Sequence, residues 1–344
     1  MRIALGCPAL AAACLLTIEH AHAAPPQTRS VAEPPASLTW AYPVNPPRQA
    51  GGSGGGGGGA AGGGGSAAPE QPLTVRGSNG SFTMEQIRNG FGIADWRPDL
   101  HPAMPDVVSG GRSPDLRACG FCHYPTGHGR PENSSLAGQP AAYVAQQMRD
   151  FGSDLRVSSE PRMGPPRAMI AVAKAATPDE VATAAEYFAS FPYVSWVRVV
   201  ETDVVPRTHV AGSMRVPVPE GGTEPIGERI IEVPEDPART ALRDPGSGFV
   251  AYVPTGSIAR GRDLVTTGGG KTIRCTICHG EDLRGAGPMP ALAGRSPSYG
   301  ARQLYDFQSG ARRGEWSELM TGVVAGLTPR DILDIVAYTA SLEP

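Results

Sequence analysis

Apolar side chains recur every three or four positions in residues 141–151 and again in 298–307, and glycine follows each run. Both read as amphipathic helices with a stop signal behind them. Two later runs open on Thr-Pro, an N-cap residue with proline at the first helical position. The first places Val181, Ala184, Ala185 and Phe188 on one face, and the second does the same with Ile332, Ile335, Val336 and Thr339. A further helix is predicted over 257–266, with a shorter counterpart at 105–109 that leaves 83–93 as a segment to borrow. Residues 194–200 and 228–233 alternate in the β-branched manner of strands, but the prolines between them argue against a large sheet. The stretch 193–255 therefore reads as an extended connector carrying at most a small hairpin.

These elements belong to a repeat. Leu136-Ala137-Gly138 aligns on Leu292-Ala293-Gly294, Tyr143 on Tyr299 and Asp150-Phe151 on Asp306-Phe307, in one register for thirty residues. Residues 169–190 match 320–341, and the only length change is five extra residues within 157–166. The fold class expected is all-α, with two tandem units at 81–192 and 256–344.

Composition adds what precedes them. The 344 residues include 45 glycines and 35 prolines, and residues 51–66 hold twelve glycines with no large side chain. Such a segment cannot offset its ordering entropy by burial, so 24–80 reads as a disordered leader. Residues 1–23 carry Arg2, an apolar run over 3–18 and Ala21-His22-Ala23, the pattern of a cleavable signal peptide, and place the mature chain in the periplasm. With a net charge of −3 and no basic stripe, nucleic acid is excluded as a partner, and no later run is long enough to span a membrane.

The chemistry lies in the cysteines. Of six, Cys7 and Cys14 leave with the signal, and the other four form Cys119-Gly-Phe-Cys122-His123 and Cys275-Thr-Ile-Cys278-His279. Two thiols three residues apart can add to the two vinyl groups of one haem, and the adjacent histidine reaches the iron. A redox dithiol needs no following histidine, and zinc needs a fourth ligand at each site. Two haem c groups are the expected cofactors, with His123 and His279 as axial ligands. A thioether stabilises ferrous iron, so methionine is sought on the other face. Met320 precedes Leu327 by seven residues as Met169 precedes Ala176. They are the expected partners, with Met163 the rival in the first unit and Met289 in the second. His128 stands too near His123 to cross the ring and reads as part of a surface loop, and His101 is a weak distal candidate.

Together the two CxxCH clusters, Pro290-Ala-Leu-Ala-Gly294, the helix of Tyr299 and Phe307, Met320 and the Ala337-Tyr338 helix resemble the class I cytochromes c in their tandem dihaem form. That resemblance implies helical domains whose first and last helices cross, and a proline carbonyl that accepts the hydrogen bond of the proximal histidine. Pro290 matches that position. Ser134 stands there in the first unit, which implies a histidine held less firmly. The insertion and the connector put compact pairing of the two domains in doubt. The function implied is electron transfer between redox proteins, a dehydrogenase donor and an oxidase or other cytochrome as acceptor, with no catalytic residues. The alternatives are a cytochrome subunit of a dehydrogenase complex, or a peroxidase with an open iron in the first unit.

Overall fold

The computed structural model describes residues 31–47 and 71–344. The signal segment and the glycine run fall outside these residues. The described residues belong to one compact unit, Val31–Pro344.

In the first repeat α1 (Met84–Arg88) and α2 (Asp106–Ser109) lead to a two-stranded ribbon, β1 (Gly111–Arg112) with β2 (Leu116–Arg117). Then come α3 (Cys119–His123), α4 (Ala141–Gly152), α5 (Gly164–Ala175) and α6 (Pro178–Ala189). After the connector the second repeat runs α8 (Ser257–Thr267), α9 (Thr276–His279), α10 (Pro297–Gln308), α11 (Ser317–Val324) and α12 (Pro329–Ala340). The Thr-Pro signals act as their chemistry requires. Thr177 accepts from the Glu180 amide and Thr328 from the Asp331 amide, each closing a capping box with proline at the start of the helix.

The first and last helices of the second repeat, α8 and α12, cross at Gly261. A Cβ there would lie 1.9 Å from the Asp334 carbonyl oxygen, so only glycine lets the backbones approach this closely. Alanine is a better helix former by ~1 kcal/mol, but the overlap costs more. Gly261→Ala is expected to lose about 1–3 kcal/mol net, read from the denaturant midpoint of the holoprotein.

The first repeat has no such crossing. Its α2 is four residues long and buries Val107 and Val108 against Ala184, Tyr187 and Phe188 of α6. The segment expected to help it does so only at its end, where the Gly90 carbonyl accepts from the Ala118 amide at 2.9 Å and Ile93 stands beside Gly120 of the CxxCH turn. Helix α1 turns Ile87 into a separate cluster with Val75, Trp96 and, from the connector, Leu242.

Two expectations are corrected. The leader was assigned to disorder throughout 24–80, yet residues Ala36–Ala41 form a 3-10 helix, and Leu38, Trp40, Ala41 and Tyr42 are buried in the main core. Composition is averaged over a window, and one aromatic anchor beside a glycine run escapes it. The all-α class holds for the two repeats, apart from the β1–β2 ribbon, but not for the connector. The connector folds into β3 (Val197–Glu201), β4 (Val204–Pro206), β5 (Thr208–Ala211), β6 (Met214–Pro217), β7 (Thr223–Pro225), β8 (Ile231–Pro234), α7 (Pro237–Ala241) and β9 (Phe249–Val253). β9 is central, parallel to β3 (Val197 opposite Phe249) and antiparallel to β8 (Pro234 opposite Phe249). β4 pairs with β7 and β5 with β6. The prolines that argued against a large sheet close β4, β6, β7 and β8 at their ends, and the sheets stay at two or three strands. Trp196, Val197, Phe249, Ala251 and Val253 join the same core as α10 and α12. The connector is thus an integral layer of the fold.

The two repeats also pack directly. Gln147 of α4 and Gln303 of α10 each accept from both Arg156 and Arg312, at 2.7, 2.7, 2.8 and 3.1 Å. Arg156 lies over Phe151 at 4.4 Å, and Arg312 over Phe307 at 4.0 Å. Each residue of one set aligns with its fellow in the other repeat, so the interface has the self-complementary form of a two-fold contact. The five-residue insertion serves it too. Ser159 donates to Asp306 through its amide (3.1 Å) and hydroxyl (2.7 Å), and Met163 is fully buried in the core shared with the second repeat. The doubt raised about compact pairing is overturned by these contacts.

Candidate haem-attachment sites

Each CxxCH motif folds as a single helical turn. In α3 the cysteines stand at i and i+3, which puts Cys119 and Cys122 on one side with His123 next in line; Cys275 caps α9 in the same relation to Cys278 and His279. All four thiols are free. Burial pushes the Cys119 thiol up to about 12 and Cys275 up to about 11, opposite to the lowered thiols of redox CxxC pairs. Among the described residues no three His, Cys, Asp or Glu side chains converge as metal donors.

Both histidines are buried and held alike. His123 Nδ1 donates to the Ser134 carbonyl at 2.7 Å and His279 Nδ1 to the Pro290 carbonyl at 2.8 Å. A carbonyl oxygen accepts only, so Nδ1 carries the proton and Nε2 keeps the lone pair. The looser hold expected at Ser134 is not found, because the acceptor is the backbone oxygen and needs no pyrrolidine ring. Burial lowers both imidazole pKa values, which keeps the rings neutral at pH 7.

A cleft opens in front of His123, and Met169 of α5 lines it together with Leu136, Val144, Met148 and Phe151. The buried Arg156 and Arg302 share the wall with the buried carboxylates of Glu132 and Asp306; Arg156 donates to Gln147, Tyr299 and Gln303, and Arg302 to the Ala41 and Pro131 carbonyls. The apolar wall, lone-pair imidazole and thioether, beside the paired thiols of α3, suit a flat, apolar haem. Cys119, Cys122, His123 and Met169 would hold it. Met163 is absent from this cleft and belongs to the core. In the second repeat Met320 of α11 and Cys275 pack half-buried against one apolar cluster, while Met289 sits in the loop bridged to Ala286.

His128 and His101 have structural roles. His128 is buried, a correction to the surface loop expected for it. It stacks on Trp196 at 4.9 Å and contacts Thr126 Oγ1 and the Val194 carbonyl, so both ring nitrogens are occupied. His101 is likewise engaged by Asp95, the Pro102 carbonyl and Tyr187. Burial pushes His128 down to about 4. A folded pKa below the unfolded value of about 6.5 gives stability that is complete above pH 6.5 and is lost as pH falls toward 4. His128→Phe is expected to lack that component, up to about 3 kcal/mol, in denaturation curves taken at pH 7 and pH 4.5.

The sequence reading missed Gln147, Arg156, Gln303 and Arg312. The signal was present: the register carries Arg156 onto Arg312, six residues beyond Asp150 and Asp306.

The cytochrome c family profile matches residues 258–343. Cytochrome c-554(548) of Halomonas halodenitrificans is 37% identical over 26% of this chain and 99% of its own length. Cytochrome c4 of Azotobacter vinelandii is 36% identical over 22% of this chain, and the thiosulfate dehydrogenase electron acceptor of Stutzerimonas stutzeri 37% identical over 25%; the match spans 40% of each of those two proteins. The profile stops short of the first repeat, whose opening helix is the short α2. No helix among the described residues is long and apolar enough to cross a membrane. With two CxxCH turns, two carbonyl-held histidines and these relatives, the chain belongs to the class I cytochromes c as a dihaem, electron-transferring member that carries haem c.

Proposed function

We propose that this cytochrome is exported to the periplasm by its first 23 residues and relays single electrons through two His/Met haems, His123 with Met169 and His279 with Met320. The haem units would occupy 81–192 and 256–344. The observation that carries the reading is that Met169 and His123 line one cleft at the end of a CxxCH turn. Haem iron supplies reversible one-electron chemistry. The chain's part is to fix each imidazole through Nδ1, offer a thioether sulfur and exclude water with an apolar wall. A dehydrogenase is the proposed donor, and an oxidase or another cytochrome the acceptor. The relative named as a thiosulfate dehydrogenase electron acceptor also supports a dedicated dehydrogenase subunit as a second reading.

The test is a spectroscopic redox titration of the holoprotein. Two one-electron steps and two low-spin ferric haems with methionine charge-transfer absorption are expected. A persistent high-spin haem would overturn the relay in favour of the peroxidase reading.

A further inference from the structure

The two CxxCH turns differ in what covers them. In the second, Ile277 between the cysteines is 57% exposed, and Cys278 is exposed beside it. In the first, Phe121 stands at the equivalent position and carries the guanidinium of Arg243 at 3.8 Å over its ring, while Arg243 Nη1 donates to the Phe121 carbonyl at 2.8 Å. Arg243 comes from the connector, and its place is fixed. Trp96 Nε1 donates to the Leu242 carbonyl at 2.7 Å, and the buried Asp244 accepts from Arg97 at 3.2 Å and Arg239 at 2.8 Å. Trp196, also from the connector, packs on Tyr124 and His128. Residues 124–129 are buried as a result, whereas most of the equivalent 280–285 is not.

The uncovered side is also apolar. Of the eight large apolar side chains exposed among the described residues, Ile273 precedes the second CxxCH in the chain, Ile277 lies within it, and Trp316 and Leu319 precede Met320. Thr272 Oγ1 donates to the Val323 carbonyl at 2.5 Å, so the two segments adjoin. An exposed apolar cluster beside a cofactor edge is the chemistry of a transient protein contact. Tunnelling falls steeply with distance, so the covered edge gives a protein partner no comparable approach.

We infer that the connector closes the thioether edge of the first haem site, so that a soluble redox protein with an apolar patch over its own cofactor exchanges electrons only at the second site, docking on Ile273, Ile277 and Trp316. This inference rests on the electron-relay reading. It makes the first site an internal store reached through the second.

The experiment is stopped-flow reduction of the ferric holoprotein by a reduced blue-copper protein, with ascorbate as a small reductant in parallel. Ile273→Glu and Trp316→Glu are each expected to slow the protein reaction about tenfold or more, with ascorbate rates and both potentials unchanged. Adding Arg243→Ser to Trp316→Glu is expected to restore a fast phase by uncovering Phe121. Unchanged protein rates in both glutamate variants would overturn the inference, as would a dimer in solution that buries the Trp316 surface. A chain without two reversible one-electron steps would instead overturn the relay itself, which the titration above detects separately.

Discussion

Met320→Ala is expected to remove one high-potential step from the redox titration of the holoprotein and leave the other in place. Met169→Ala is expected to do the converse. Thioether ligation favours ferrous iron, so its loss lowers the potential by roughly 100 mV or more, a factor of ~50 at 59 mV per tenfold. Each variant should also convert one of the two ferric haems from low to high spin. Met163→Ala is the control. That side chain is fully buried in the shared core, so its removal costs about 2–5 kcal/mol of stability while both potentials stay put. A potential shift in Met163→Ala, with Met169→Ala silent, would reassign the ligand.

Trp40→Ala is expected to cost about 3–5 kcal/mol, as large a loss as a central core deletion, although the residue lies in a segment whose composition reads as tether. Trp40 is 4% exposed within a cluster that includes Leu38, Tyr42, Phe307 and Ile332. The anchoring is polar as well. Tyr42 donates to Asp306 at 2.9 Å, Arg302 to the Ala41 carbonyl at 2.7 Å and Tyr305 to the Glu33 carbonyl at 2.7 Å. Deleting residues 51–66 serves as the comparison and is expected to leave the denaturant midpoint of the holoprotein within about 0.5 kcal/mol. An unchanged midpoint in Trp40→Ala would show that the 3-10 helix contributes nothing to the folded core.

What could be read in the chain depended on the range of the interaction. Cys119, Cys122 and His123 occupy one helical turn, and Thr177-Pro178 and Thr328-Pro329 set their own helix starts, because capping and spacing act within four residues. The repeat extended that reach. Aligned positions share an environment, so Met320 points to Met169, and the same register reaches Arg156 and Arg312 five residues beyond Phe151 and Phe307.

The sequence by itself therefore determined two CxxCH turns, the helices around them and the family. Only the tertiary structure decided that Ser134 serves as well as Pro290, since a backbone carbonyl carries no mark of residue type. It alone brought Trp40 into the core, set Arg243 over Phe121 and joined β3 to β9 across the connector. Such contacts form between segments tens to hundreds of residues apart, and no local period or composition records which distant surface will close over a given side chain.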